Sequence, residues 1–163
     1  MFNLDSKSLS KFLKIFLNIF WYIGLICFVM LAVSSIFSNF IYNYGIINTI
    51  FSIGVLIIVV CILLIIFHLR KILNTVINQK PFSLSNVSRF RYIGFTTIFL
   101  GILLFIKDIY FIGLKTFTIL DDGKGLFTNV DIYIPIILGI FSLILAEIFK
   151  LGYQIYEENK LII

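Results

Sequence analysis

Residues 46–67 read IINTIFSIGVLIIVVCILLIIF, a run of apolar and small polar residues that contains no charged side chain. A helix needs about 20 consecutive, mostly apolar residues to cross the hydrocarbon core of a bilayer. Soluble domains are roughly 45–50% apolar and about 25% charged, whereas this chain of 163 residues is 61% apolar and 13% charged. The composition excludes a soluble globular domain, a disordered chain and a secreted disulfide scaffold. It predicts an integral membrane protein.

Three further apolar runs flank this one, and together they predict four membrane spans. The first run is longer than the apolar core of a cleaved signal peptide, which is about 7–15 residues, so we expect a retained anchor. Lys107 and Asp108 interrupt the third run, and the fourth contains one acid, Glu147. The predicted fold is an all-α integral membrane protein, a four-transmembrane-helix bundle in a single domain, with spans at residues 15–37, 46–67, 92–114 and 132–149.

The basic residues orient the predicted bundle. Ten of the 13 Lys and Arg residues precede the first span, lie between the second and third spans, or follow the fourth. Because basic residues mark the cytoplasmic side of a membrane protein, both termini and residues 68–91 are expected in the cytoplasm. Residues 150–163 then form a cytoplasmic tail and residues 115–131 an outer loop. The turn Asp121-Asp122-Gly123 makes residues 114–130 compatible with a small β-hairpin.

The apolar pattern of the second span continues beyond its end. Pro81 should then break the helix, and Ser83 or Ser85 suits the N-cap of the next one. Spans 2 and 3 are therefore predicted to extend into the cytoplasm as a helical hairpin of residues 68–91. The continuing positions, at the spacing of one helix face, are Leu69, Ile72, Leu73, Val76 and Ile77.

The two ends of the chain continue their spans in the same way. Asp5 or Ser6 can cap a helix that leads into the first span. Asp131 can cap the fourth span, which would place Pro135 in the first turn of that helix, where proline costs little. Beyond the fourth span, apolar residues continue at helical spacing at Ile148, Leu151 and Ile155. We expect this tail to pack against the hairpin.

Acids within apolar spans are costly and usually face a partner or a wet cavity. Glu147 and Asp108 are therefore the candidate intramembrane polar sites. Glu147 suits an ion pair with Arg91 or Lys150 that locks the bundle; a proton or ligand site and a contact with a cytoplasmic partner remain alternatives. Neighbouring residues of a helix do not face each other, so Lys107 is expected to extend outward and Asp108 to face the bundle without pairing.

The residues that could carry enzymatic chemistry are sparse. His68 is the only histidine, both cysteines lie inside apolar runs, and no phosphate-binding loop, metal-ligand spacing or nucleophile motif is present. One histidine without a cysteine or carboxylate at ligand spacing does not predict a metal site. We predict no catalytic residue, no metal and no cofactor, and hence a protein that is not an enzyme.

Two blocks of the sequence resemble a bacterial family of membrane proteins. Residues 69–91 read LRKILNTVINQKPFSLSNVSRFR, and the closing block contains LAEIF at 145–149, Gly152, EEN at 157–159 and Leu161. This combination resembles the family called domain of unknown function 2975. The resemblance implies four spans in a bacterial cytoplasmic membrane and no established enzymatic activity. It also implies a gene often encoded beside a small helix-turn-helix DNA-binding regulator.

These features predict a non-enzymatic protein that docks or sequesters such a regulator in signalling, without contacting nucleic acid itself. The candidate partner-binding residues are Arg70, Lys71, Arg89, Arg91, Glu157 and Glu158. The basic members could equally bind anionic lipid at the inner face, at about 1 kcal/mol each. The alternative function is immunity or stress defence against membrane-active peptides, based on a compact bundle with a charged outer loop. Whether copies of the chain associate as a homo-oligomer is left open.

Overall fold

In a computed structural model of the chain, the structure describes residues 6–42, 45–78, 80–112 and 130–160. These residues form four helices and no strand. Each helix is long and apolar enough to cross a membrane, so the prediction of an all-α membrane protein with four spans is confirmed. Apart from Val130, the predicted outer β-hairpin lies outside the described residues. The helices are α1 (Ser6–Tyr42), α2 (Ile46–Ile77), α3 (Leu84–Ile112) and α4 (Val130–Lys160).

All four helices extend well beyond the apolar runs that predict them, and α3 begins at Leu84, before the predicted span at residue 92. The lead-in segment and the first span form one continuous helix, which begins at Ser6, while Asp5 lies outside the described residues. α2 continues past Phe67 to Ile77, and α4 continues past Phe149 to Lys160. The helical spacing of apolar residues beyond the spans therefore predicts helix correctly.

The turn between α2 and α3 is closed by backbone hydrogen bonds at both of its ends. The Lys80 N–H donates to the Thr75 carbonyl at 2.9 Å, a bond that satisfies a free carbonyl at the end of a helix. At the start of α3, the Asn86 N–H donates to the Ser83 carbonyl at 2.9 Å. Ser83 rather than Ser85 thus precedes the first helical residue, and the predicted break at Pro81 is confirmed.

The predicted start of α4 is wrong. α4 begins at Val130, so Asp131 lies inside the helix rather than at its N-cap, and Pro135 lies inside the helix rather than in its first turn. Proline has no N–H, so the Asp131 carbonyl lacks its usual partner four residues later. Membrane helices tolerate this loss because neighbouring groups compensate for it.

The helices pack in chain order: α1 on α2, α2 on α3, and α3 on α4. α3 and α4 approach each other closely at Gly94 and Gly139. A Cβ atom on Gly139 would lie 2.9 Å from the Gly94 carbonyl oxygen and 2.6 Å from Cγ1 of Ile98. Small residues allow such close backbone contact between membrane helices. Two turns further along, Ala146 is completely buried in the same interface.

Candidate functional site

The densest set of polar contacts in the described part of the chain lies at one end of the four helices. This end is formed by the α2–α3 turn and the second half of α4. We call it the hairpin–tail junction. It contains residues of both sequence blocks that carry the family resemblance. Its residues are Thr75, Pro81, Phe82, Asn86, Arg89, Arg91, Glu147, Phe149, Lys150 and Gly152.

Asn86 forms the centre of this junction and is 0% exposed. Its amide nitrogen donates to the Thr75 hydroxyl at 2.6 Å and to the Pro81 carbonyl at 2.8 Å. Its amide oxygen accepts a hydrogen bond from Arg89 at 3.0 Å. The Thr75 hydroxyl in turn donates to the Ile72 carbonyl at 2.7 Å. Asn86 therefore joins the end of α2, the turn and the start of α3, with both of its polar atoms satisfied.

Arg89 holds the two helices of the hairpin together. The same guanidinium nitrogen that contacts Asn86 also donates to the Lys71 backbone carbonyl of α2 at 3.0 Å. Such charge-assisted hydrogen bonds are stronger than those between neutral groups. Arg89, predicted as a partner- or lipid-binding residue, thus has a structural contact within the protein.

Glu147 pairs with two cations, as predicted from its position in an apolar run. One carboxylate oxygen lies 2.6 Å from an Arg91 guanidinium nitrogen, and the other lies 3.6 Å from the Lys150 ammonium. Both Arg91 and Glu147 are about half exposed. Nearby, the Ser142 hydroxyl donates to the Phe90 carbonyl at 3.1 Å. The ion pair and this hydrogen bond fix the register of α3 against α4.

Aromatic packing joins the hairpin to the tail. Phe82, in the turn, lies over Gly152 so closely that a Cβ on Gly152 would be 2.6 Å from the Phe82 ring. The Phe149 ring lies between the Phe82 and Phe90 rings, with centroid distances of 5.6 Å and 4.8 Å. The expected packing of the tail against the hairpin is therefore confirmed. The tail acids follow in the last turns of α4, where Glu157 is partly buried and Glu158 is exposed.

Arg70 and Lys71 both contact aromatic rings. The Arg70 guanidinium carbon lies 5.3 Å from the ring centroid of Trp21 in α1, and the Lys71 ammonium lies 4.7 Å from that of Phe67. Cations are attracted to the faces of aromatic rings at such distances. His68 stacks on Tyr92 of α3 with a centroid distance of 5.3 Å. Arg70 and His68, which lie close together in α2, therefore contact α1 and α3, respectively.

The expectation that Lys107 and Asp108 do not pair is wrong. The Lys107 ammonium lies 3.0 Å from an Asp108 carboxylate oxygen. Adjacent Cα–Cβ bonds diverge on a helix, but the long, flexible stem of lysine can fold back toward its neighbour. Asp108 does face the bundle, as predicted, and is only 2% exposed. A buried carboxylate needs a compensating charge, which this pair supplies.

Sequence reasoning missed Asn86, Phe82, Trp21 and Tyr92 as contact-forming residues. Asn86 and Phe82 do lie in the sequence block that carries the family resemblance, and this was the available signal for them. Trp21 and Tyr92 lie outside both blocks, and no pattern in the sequence indicates their partners on the neighbouring helices. Among the described residues, no group of three or more His, Cys, Asp or Glu side chains could hold a metal ion.

The arrangement predicts how the ion pair responds to charge reversal. Arg91→Glu should lower the melting temperature in detergent, because it places two acids together beside a single remaining cation, Lys150. The effect should be small, since exposed ion pairs contribute little. Combining Arg91→Glu with Glu147→Arg should restore most of the loss. A double variant that is no more stable than Arg91→Glu alone would contradict direct pairing.

Comparison with known proteins finds a match to a protein family. The family described as "Protein of unknown function (DUF2975)" matches residues 8–163, which is nearly the whole chain. No curated protein and no solved structure matches the chain. The two blocks that suggested this family are distant in sequence, yet they contact each other at the hairpin–tail junction through Phe82 and Gly152 and through Arg91 and Glu147. The chain belongs to the DUF2975 family of proteins of unknown function.

Proposed function

We propose that this chain is a non-enzymatic membrane protein that docks and restrains a small cytoplasmic helix-turn-helix DNA-binding regulator in signalling. The observation that carries the proposal is the hairpin–tail junction, in which the α2–α3 turn and the end of α4 are joined into one surface. Buried hydrogen bonds at Asn86 and the Phe82–Gly152 contact hold that surface in place. A fixed surface of this kind suits recognition of a protein partner.

The charge distribution supports a cytoplasmic location for this surface. Basic residues concentrate at the N-terminus, in residues 68–91 and in the tail, so the positive-inside rule favours both termini inside. The hairpin and the extended α4 then project from the inner face of a bacterial cytoplasmic membrane. A soluble regulator would meet this surface without having to enter the bilayer.

The exposed turn of the junction and the acids at the end of α4 suit a partner with basic and apolar groups. Phe82 is 44% exposed at the turn, and Leu84 beside it is also exposed. Glu157 and Glu158 lie at the end of α4. DNA-binding proteins carry basic surfaces, which acids attract while apolar groups supply contact area. We therefore assign partner contact to the exposed turn and to Glu158, which is exposed at the end of α4.

The basic candidates receive different roles in this proposal. Arg89 and Arg91 hold the docking surface together through their contacts with Lys71, Asn86 and Glu147. Arg70 and Lys71 pack on aromatic rings near the predicted inner interface and contact anionic lipid. Release of the regulator requires a second state of the protein with lower affinity for it.

A pull-down from native membranes in mild detergent tests the proposal. Mass spectrometry should identify a small DNA-binding protein with the wild-type chain. Phe82→Ala should reduce its recovery several-fold, because the variant removes an exposed ring of the surface. Phe99→Ala is the matched control, since Phe99 is comparably exposed in the middle of α3, far from the junction, and it should leave recovery unchanged.

Two outcomes of the pull-down, and one of a deletion experiment, would contradict docking of a regulator. One is recovery of lipid alone with the wild-type chain, and the other is equal recovery with Phe82→Ala and Phe99→Ala. Unchanged localisation of the captured regulator after deletion of this protein would have the same consequence. The defence alternative depends on residues 115–130, nearly all of which lie outside the described residues.

A further inference from the structure

A cavity of about 320 Å³ lies between α2 and α3, toward the ends of the two helices that are far from the hairpin–tail junction. Gly54 leaves space in its wall, since nothing lies within 4 Å of a Cβ atom at this position. The walls are apolar along most of their length, as at Val55 and Leu103, while Lys107 and Tyr110 lie at one end. Such a volume and lining are typical of ligand-binding pockets. We call it the α2–α3 cavity.

The length of the α2–α3 cavity matches one leaflet of a bilayer. Along α2 its lining runs from Ile58 to Ile47, a distance of about 16 Å at 1.5 Å per residue. This is about half of the hydrocarbon core, which is roughly 30 Å thick. The lining residues Ile47, Ile50 and Ile106 are also 59–64% exposed at the protein surface. The cavity therefore opens sideways to the predicted bilayer, and an acyl chain of a membrane lipid can enter it from the side.

The polar end of the cavity supplies a cation at the level expected for a lipid headgroup. Lys107 and Tyr110 lie one turn apart near the predicted outer end of α3. Tyrosine is enriched at membrane–water interfaces, and long lysine side chains extend their charged ends toward water. The Lys107 side chain is 38% exposed, whereas that of its partner Asp108 is 3% exposed. The pair therefore presents its ammonium, rather than its carboxylate, to a molecule in the cavity.

We propose that the α2–α3 cavity holds one acyl chain of an anionic membrane lipid, whose headgroup phosphate binds the Lys107 ammonium. Hydrogen bonds between ammonium and phosphate are charge-assisted and strong. A lysine ammonium has three donors, and the contact with Asp108 occupies one of them. A headgroup with a net negative charge gains this contact without bringing an ammonium of its own close to Lys107.

The size of the cavity favours a lipid chain over a helix of another protein. A helix with its side chains is about 10 Å across and would fill roughly 1,200 Å³ over the same length. The α2–α3 cavity has only about a quarter of that volume. The proposal concerns the end of α2 and α3 opposite the hairpin–tail junction, so it stands independently of the proposed function.

Quenching of tryptophan fluorescence by lipids with brominated acyl chains tests the proposal on the full-length chain in vesicles. The single tryptophan is removed by Trp21→Phe, and Phe51→Trp places a reporter in the cavity wall. Brominated phosphatidylglycerol, added to phosphatidylcholine vesicles, should bind at the reporter several-fold more tightly than brominated phosphatidylcholine. Phe99→Trp is the matched control, because Phe99 is an exposed residue of α3 outside the cavity lining. There the two lipids should quench equally.

Three variants separate the contribution of the cation from that of the cavity. Lys107→Gln should abolish the preference for phosphatidylglycerol, and Lys107→Arg should keep it. Gly54→Leu should weaken quenching at the reporter by both lipids, because the leucine side chain fills part of the cavity. Melting curves establish that each variant is folded.

Three results would overturn the proposal. They are equal binding of the two lipids at the Phe51→Trp reporter, a preference that Lys107→Gln leaves unchanged, and quenching that Gly54→Leu leaves unchanged. Quenching by brominated oleic acid without a preference for phosphatidylglycerol would also overturn it, and would assign the cavity to a free fatty acid.

Discussion

Replacing Asn86 by Ala should destabilise the α2–α3 hairpin by roughly 2–4 kcal/mol, since each buried polar group left without a partner costs about 1–3 kcal/mol. The amide of Asn86 contacts Thr75, Pro81 and Arg89. Thr75 can still donate to Ile72, but the Pro81 carbonyl and one Arg89 contact lose their partner. The turn should open, and the docking surface that it carries should be lost with it.

Unfolding in detergent and limited trypsin digestion measure this effect. Asn86→Ala should lower the unfolding midpoint and expose the bonds after Arg70 and Lys71 to cleavage. Ser88→Ala is the matched control, because Ser88 is a small polar residue of the same helix but is exposed. Surface substitutions usually change stability by no more than about 0.5 kcal/mol. Equal behaviour of the two variants would show that Asn86 does not hold the turn.

The contrast between Asn86 and Glu147 shows why one contact was predictable and the other was not. A single acid in an otherwise apolar run must find a cation, and few cations lie within reach of Glu147 along the chain and in the facing segment. Asn86 stands among polar and apolar neighbours at the start of a helix, a position typical of exposed residues. Only the packing of α2 against α3 buries it.

Helix positions were predictable for a related reason. Within a bilayer, backbone polar groups must be satisfied inside the segment, so a long apolar run has almost no alternative to a helix. The start of α4 was predicted wrongly because Asp131 is a typical N-cap residue and Pro135 is typical of a first turn. The helix instead begins at Val130 and includes both residues. The order of the helices could not be predicted, because apolar faces alone do not specify their neighbours.

The packing of α3 against α4 depends on the close approach of their backbones. A large side chain at the crossing should therefore have a large effect on stability. Gly139→Leu should destabilise the protein by about 3 kcal/mol, the upper end of the range for overpacking. Its side chain would overlap Ile98 and the Gly94 carbonyl, since both would lie within 3 Å of a Cβ atom at this position. The two helices would have to separate, and the Arg91–Glu147 ion pair would break with them.

Gly54→Leu is the matched control, and it should have the opposite sign. Nothing lies within 4 Å of a Cβ at Gly54, which lines a cavity of about 320 Å³ between α2 and α3. Leucine would fill part of this space and also improve the helix propensity by up to about 1 kcal/mol. Unfolding midpoints in the same detergent compare the two. Equal unfolding midpoints for Gly139→Leu and Gly54→Leu would contradict this prediction. They would show that the close crossing of α3 and α4 does not hold the α2–α3 turn against α4 in the hairpin–tail junction.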